Sequence, residues 1–207
     1  MSEYIFPLTE KEAEVLRRLA KNGPCSGYDF HLGGVRRRGQ REALMTQAHW
    51  RKVKESLLKK GLIKLYSGRK AKAEDDRGRR KDLYWLTPDG AFVALGLDVE
   101  PDTLIAKIKE YDSQMEHFEE IKTLAEVVKV CGSPLGPQLI QALYLMVKEN
   151  DFAMLGKIFN YLQDLYKKDK DRVKYILQFL SKHPTIGKLL YVIIRVFENV
   201  LDIEVLN

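Results

Sequence analysis

Residues Arg51–Lys70 read RKVKESLLKKGLIKLYSGRK, and the fold turns on how that stretch is divided. Up to Lys60, Trp50, Val53 and Leu57 recur at helical spacing, and Gly61 ends the pattern. The residues that follow, LIKLYS, are of β-type. A polar loop, Gly68–Lys81, then leads to a second β-type run, DLYWL. A basic helix therefore passes into a strand, a long basic loop and a returning strand.

Working upstream, LTEKEAEVLRRLAKNG opens on a capping box, Thr9 with Glu12 three residues on. Ala13, Leu16, Leu19 and Ala20 form one apolar stripe, and Gly23-Pro24 stops the helix. SGYDFHL predicts a short second helix capped by Ser26. A loop with Gly33, Gly34 and Gly39 leads to Thr46, the expected cap of the third helix. Downstream, Thr87 caps a further helix that has Pro88 at its first position. The expected class is mainly α with a small β-hairpin: a domain over residues 1–97, then an all-helical domain over 98–207. In the second part Leu104, Ile108, Tyr111, Met115 and Phe118 step by 4, 3, 4, 3, a heptad seam. Ile121, Ala125 and Val128 continue it after one slip, which predicts a single helix of about 30 residues, ~45 Å long. Further helices are expected near 135–149, 151–166, 170–182 and 185–203.

The chain has 207 residues, 45% of them hydrophobic, and a formal charge of +6. That charge is local. Residues 36–81 hold 17 basic and 5 acidic residues, whereas residues 101–207 hold 14 and 15. A local excess of this size points to an anionic partner. Cys25 and Cys131 stand apart with no CxxC pair, so neither a disulfide framework nor a zinc site is expected. No signal peptide is read at the start, and the most apolar run, Leu189–Phe197, is half the length of a membrane span. A cytoplasmic protein without a membrane segment is the expectation.

On the third helix Trp50, Val53 and Leu57 point inward, which leaves Ala48, Arg51, Lys52, Glu55 and Lys59 outward, with Gln47 at the first turn. Such a helix fits the major groove of B-DNA. Arg51 can pair with guanine, Gln47 with adenine, Ala48 with a thymine methyl, and Glu55 with cytosine N4 or with Arg51 as an i, i+4 partner. Lys52, Lys54 and Lys59 are expected on phosphates. An ordinary solvated face is the competing reading, but basic segments flank the helix on both sides. Arg36, Arg37, Arg38 and Arg41 precede it; Arg69, Lys70, Lys72, Arg77, Arg79, Arg80 and Lys81 lie in the loop beyond it. Glu74-Asp75-Asp76 interrupts that loop. Either its tip points away from DNA, or these acids pair with Arg77 and Arg79 when DNA is absent.

The series TEKEAEVLRRLAKNGPCSGYDF, HWRKVKESLLKKGLIKLYSG and RRKDLYWLTPDGAFVAL resembles the winged helix-turn-helix of bacterial and archaeal transcriptional regulators. The PadR-like group is nearest and the MarR-like group next. The resemblance covers about 90 residues, and order and spacing carry it more than any single motif. It implies that Thr46–Lys59 reads the major groove and that Gly68–Lys81 is a wing touching the backbone or minor groove. It also implies a homodimer on paired half-sites. Two departures stand out: Arg51 lies near the place of a usual tyrosine, and the helical second part is longer than the dimerising arm usual in that group.

The seam Leu104–Val128 is the candidate dimer contact, or it packs inside the chain's own bundle. The aromatic residues Tyr144, Phe152, Phe159, Tyr161, Tyr166, Tyr175, Phe179 and Tyr191 either line a pocket for a small-molecule effector or form simple core. No nucleophile elbow, P-loop, zinc helix or dinucleotide fingerprint is present, so no catalytic residues, metal or cofactor are expected. The expected function is sequence-specific binding of double-stranded DNA; the alternative is an adaptor that uses the same fold for protein contacts.

Overall fold

The computed structural model describes residues 7–31, 44–67, 82–148 and 153–181, together with Tyr191, Arg195 and Asn199. These residues are mostly helical with one small antiparallel sheet. In chain order the elements are α1 (Glu10–Asn22), β1 (Cys25–Ser26), α2 (Gly27–His31), α3 (Gln47–Lys59), β2 (Ile63–Leu65), β3 (Leu83–Leu86) and α4 (Pro88–Leu95). Five further helices follow: α5 (Pro101–Tyr111), α6 (Phe118–Cys131), α7 (Leu135–Lys148), α8 (Ala153–Lys168) and α9 (Lys170–Ser181). The chain divides into two compact units, Met1–Ala125 and Glu126–Asn207. The first takes in α5, which packs on α1 beyond the expected junction at residue 97.

In the first unit the capping box forms as expected: Thr9 Oγ1 accepts from the Glu12 amide, and Glu12 Oε2 accepts from the Thr9 amide at 2.7 Å. The apolar stripe of α1, from Ala13 to Ala20, is fully buried. One strand escaped the pattern reading. Cys25 and Ser26 pair with Tyr84 and Leu83, which makes a three-stranded sheet of order β1-β3-β2. Ser26 is consequently a strand residue at the entry to α2. Its amide and its hydroxyl both donate to Asp29 Oδ2, at 2.6 and 2.8 Å, the reciprocal half of a capping box. The central strand, β3, buries all four of its residues, which is why LYWL is apolar throughout rather than alternating.

Thr87 caps α4 by accepting from the Gly90 amide, and its hydroxyl donates to the Gly61 carbonyl at 2.6 Å. Gly90 must be glycine for lack of room, because a Cβ there would overlap the carbonyl oxygen of Leu62. In the second unit α7 packs on α8 and α8 on α9, around Val127, Leu139, Ile140, Ile158, Leu162, Val173 and Ile176. Of the helix expected at 185–203, Tyr191, Arg195 and Asn199 are described and are helical; the rest lies outside the described residues.

The expected 30-residue helix is broken. α5 ends at Tyr111 and α6 starts at Phe118, with Asp112 at φ −147°, ψ 57° and His117 at φ 57°. The break coincides with two contacts to residues far away in the chain. The ring of Tyr111 sits over Gly23, where a Cβ would come within 2.4 Å of Cε2, and the Asp112 carboxylate pairs with Lys64 of β2 at 2.7 Å. A straight helix through residue 112 would redirect the Asp112 carboxylate away from Lys64. Nor does the seam present an open stripe. Leu104 and Ile108 are fully buried and Met115 nearly so, while Tyr111 and Phe118 are half-buried, all within the chain itself. Leu104, Ile108 and Met115 of the 4-3-4-3 pattern are thus covered within the chain. Ile108→Glu places an unpaired carboxylate in this core and should cost about 4 kcal/mol or more of stability. A fall in Tm is the expected result; a dimer that splits while each chain stays folded, seen by sedimentation, would return the stripe to the surface.

Candidate nucleic-acid interface

The candidate site is the outer face of α3, and its geometry begins with how that helix is held. Thr46 Oγ1 accepts from the His49 amide at 3.2 Å and caps the first turn. On the inner face Trp50, Val53 and Leu57 are buried. Trp50 stacks on Phe30 of α2 with ring centroids 4.5 Å apart and meets Tyr84 of β3 edge-on at 5.8 Å. The C-terminal end is a full Schellman motif. The Leu62 amide donates to the Leu57 carbonyl and the Gly61 amide to that of Leu58, both at 3.0 Å, with Gly61 at φ 68°.

A buried charge cluster adds a second fixing point. Glu12 is 3% exposed and accepts from Ser56 Oγ at 2.6 Å and from Lys60 Nζ at 2.9 Å on both oxygens. Lys60 Nζ also donates to the Pro7 carbonyl at 2.8 Å. One carboxylate thus closes the first turn of α1 and grips the last turn of α3. Burial pushes the Glu12 carboxyl up, but the hydrogen bonds from Ser56, Lys60 and the Thr9 amide outweigh it and hold it below the usual carboxylate range.

With its inner face so held, α3 turns Gln47, Ala48, Arg51, Lys52, Glu55 and Lys59 to solvent, and all six are exposed. Lys54 departs from the expected phosphate-contacting set. It is half-buried, with its ammonium 5.7 Å from the Tyr84 ring centroid, and so lies toward the sheet rather than on the open face. Among the described residues, Arg51, Lys52, Glu55 and Lys59 make no ion pair, and the Arg51–Glu55 partnership expected from their spacing is not formed. Some lysines on other helices do find such partners. Lys107–Glu110, Lys122–Glu119, Lys129–Glu126 and Lys167–Asp164 all pair at three-residue spacing, between 2.9 and 3.2 Å. Lys52 and Glu55 have that spacing and remain apart.

Arg36, Arg37, Arg38, Arg41 and the loop residues Arg69, Lys70, Lys72, Arg77, Arg79, Arg80 and Lys81 lie outside the described residues, as does the acidic triplet. Lys60 was missed as more than a helix end, because nothing local in the sequence ties it to a carboxylate 48 positions away. In the second unit the proposed effector-pocket aromatics do not form a buried lining. Tyr175 and Tyr191 are 58% and 49% exposed, the other described ones are half-buried, and Phe152 is outside the described residues. Among the described residues there is no group of His, Cys, Asp and Glu arranged to hold a metal ion. Nor is any described helix long and apolar enough to cross a membrane. Cys131 is buried, which pushes its thiol up to about 12. Comparison of the chain with known protein families, with curated proteins and with solved structures finds no match.

The Glu12 cluster makes a pH prediction. A carboxyl whose folded pKa is lowered adds stability above its unfolded pKa and loses it as pH falls through the folded value. Thermal melts from pH 7 toward pH 3 should therefore show the wild type losing an advantage over Glu12→Gln, with the two curves converging in acid. Parallel curves would mean that the carboxylate contributes nothing as a charge.

Proposed function

We propose that this protein is a sequence-specific double-stranded-DNA-binding regulator of transcription. Its first unit acts as a winged helix-turn-helix, with α3 in the major groove and the basic segment 68–81 on the backbone. The observation that carries this reading is the open face of α3. Three cations and one carboxylate stand exposed and unpaired among the described residues, on a helix fixed along its other side by the core and by Glu12. Charges left without internal partners are available to phosphates and base edges. The order α1-β1-α2-α3-β2-β3 and the sheet order β1-β3-β2 support the winged-helix reading.

In this reading Arg51 takes a guanine edge, Gln47 an adenine edge and Ala48 a thymine methyl. Glu55 accepts from cytosine N4, and Lys52 and Lys59 take phosphates. Lys54 supports the sheet instead. A homodimer on paired half-sites remains part of the proposal, with its contact outside the buried residues Leu104 and Ile108.

The test is fluorescence anisotropy with random duplex DNA about three helical turns long, titrated against salt. Micromolar binding that weakens steeply with salt is expected. No binding at low salt would overturn the proposal and favour a protein-contact role. With a selected operator, Arg51→Ala should cost about 1–3 kcal/mol and relax sequence preference. Lys52→Ala should weaken all duplexes alike and make the salt slope shallower by about one. Equal losses on selected and random DNA for Arg51→Ala would remove it from base readout.

A further inference from the structure

Two contacts join the end of β2 to the break between α5 and α6, across a sequence separation of nearly fifty residues. The Tyr66 hydroxyl, just past β2, donates to the Tyr111 carbonyl at 3.0 Å. Lys64, in the middle of β2, pairs with Asp112 at 2.7 Å. The rings reinforce this: Tyr66 meets Tyr111 edge-on at 6.4 Å, and Tyr111 lies 6.2 Å from the buried Trp85 of β3. Burial and the carboxylates of Asp112 and Glu110 push the Tyr66 phenol up, which keeps it a donor. Asp112, with Lys64 on its carboxylate, stands where α5 ends, and its amide still closes the last turn by donating to the Ile108 carbonyl.

We propose that Lys64 and Tyr66 are positioning residues that clamp β2 to the α5–α6 break, so that a shift at that break changes DNA affinity. The inference rests on the DNA-binding reading above. β2 occupies a decisive place in the chain. Three residues separate it from α3 and two from the segment 68–81, whose sequence holds seven cations. Whatever fixes β2 therefore fixes the connection between both basic elements. The other end of the clamp lies on the helices that run on toward the second unit, and any ligand or partner that moves the 112–117 segment acts on the same strand.

The sign of one substitution separates the clamp from plain electrostatics. Asp112→Asn removes a negative charge, so a simple charge effect would tighten DNA binding. The clamp predicts the opposite, binding weakened about two- to fivefold, the loss expected for one partly exposed ion pair. Tyr66→Phe alters no charge and keeps the ring, and it should weaken binding about threefold. Should Asp112→Asn fail to fold, Tyr66→Phe alone decides.

The clamp also has a readout without DNA. The Tyr66 amide is bonded to the Leu83 carbonyl at 2.8 Å, and its hydrogen exchange should quicken in Asp112→Asn. Wild-type protein that fails to bind duplex DNA would sink the DNA-binding reading and with it the effect on affinity. Wild-type binding left unchanged or tightened by both substitutions would overturn the clamp alone. Unchanged exchange at Tyr66 would overturn it in either case.

Discussion

The carboxylate of Glu12 is the constraint on which the orientation of α3 depends. A carboxylate that is 3% exposed is tolerable only when its lone pairs are occupied, and here the Thr9 amide, the Ser56 hydroxyl and the Lys60 ammonium occupy them. Hydrophobic burial of Trp50, Val53 and Leu57 sets how deep the helix lies, but it is non-directional and tolerates small rotations. Hydrogen bonds of fixed length to a carboxylate on another helix do not. Rotation of α3 by a few tens of degrees would pull Ser56 and Lys60 off Glu12, and it would also turn Arg51 and Gln47 away from their present direction.

The sheet supplies the complementary restraint. β3 is central, buried along its whole length, and joined on one side to β1 and on the other to β2. Through β1 it holds the start of α2, whose Phe30 stacks on Trp50; through β2 it holds the exit from α3. Thr87, one residue past β3, then bonds back to the Gly61 carbonyl, at the turn that ends the α3 Schellman motif. Both ends of α3 are thus referred to a single four-residue strand, and Gly90 lets α4 approach the Leu62 backbone closely enough to complete the arrangement.

What was legible in the sequence is what a few adjacent residues encode. The Thr9–Glu12 box, the caps at Thr46 and Thr87, the stop at Gly61 and the inward stripe of α3 each lie within one or two turns. What was not legible depends on residues far apart. β1 is two residues long and exists only because β3 pairs with it. Lys54 lies at the border of the inward stripe on an ideal wheel, and its long stem lets the charge reach Tyr84, a contact no local pattern encodes. The spacing from Leu104 to Phe118 satisfies a heptad equally well as one helix or two, because a stripe facing a chain's own core repeats as a dimer seam does. Only Tyr111 over Gly23 and Asp112 against Lys64 decide between them, and neither contact has a local signature.

The same contrast bears on how charge is distributed over the surface. On α5, α6 and α8 the lysines Lys107, Lys122, Lys129 and Lys167 meet acidic neighbours one turn away, whereas Lys109, Lys157 and Lys168 make no ion pair among the described residues. On α3 the identical spacing between Lys52 and Glu55 stays open, and Arg51 and Lys59 also stand clear of Glu55 among the described residues. A lone carboxylate among unpaired cations works against indiscriminate attraction to phosphates, since every backbone approach brings it toward like charge. In the proposed complex it would be relieved by a donor, such as a cytosine amino group in the groove. In the DNA-binding reading proposed above, an α3 face made only of cations would bind any duplex, whereas one that retains Glu55 would weigh each site by the donor it offers, a physical basis for choosing among sequences.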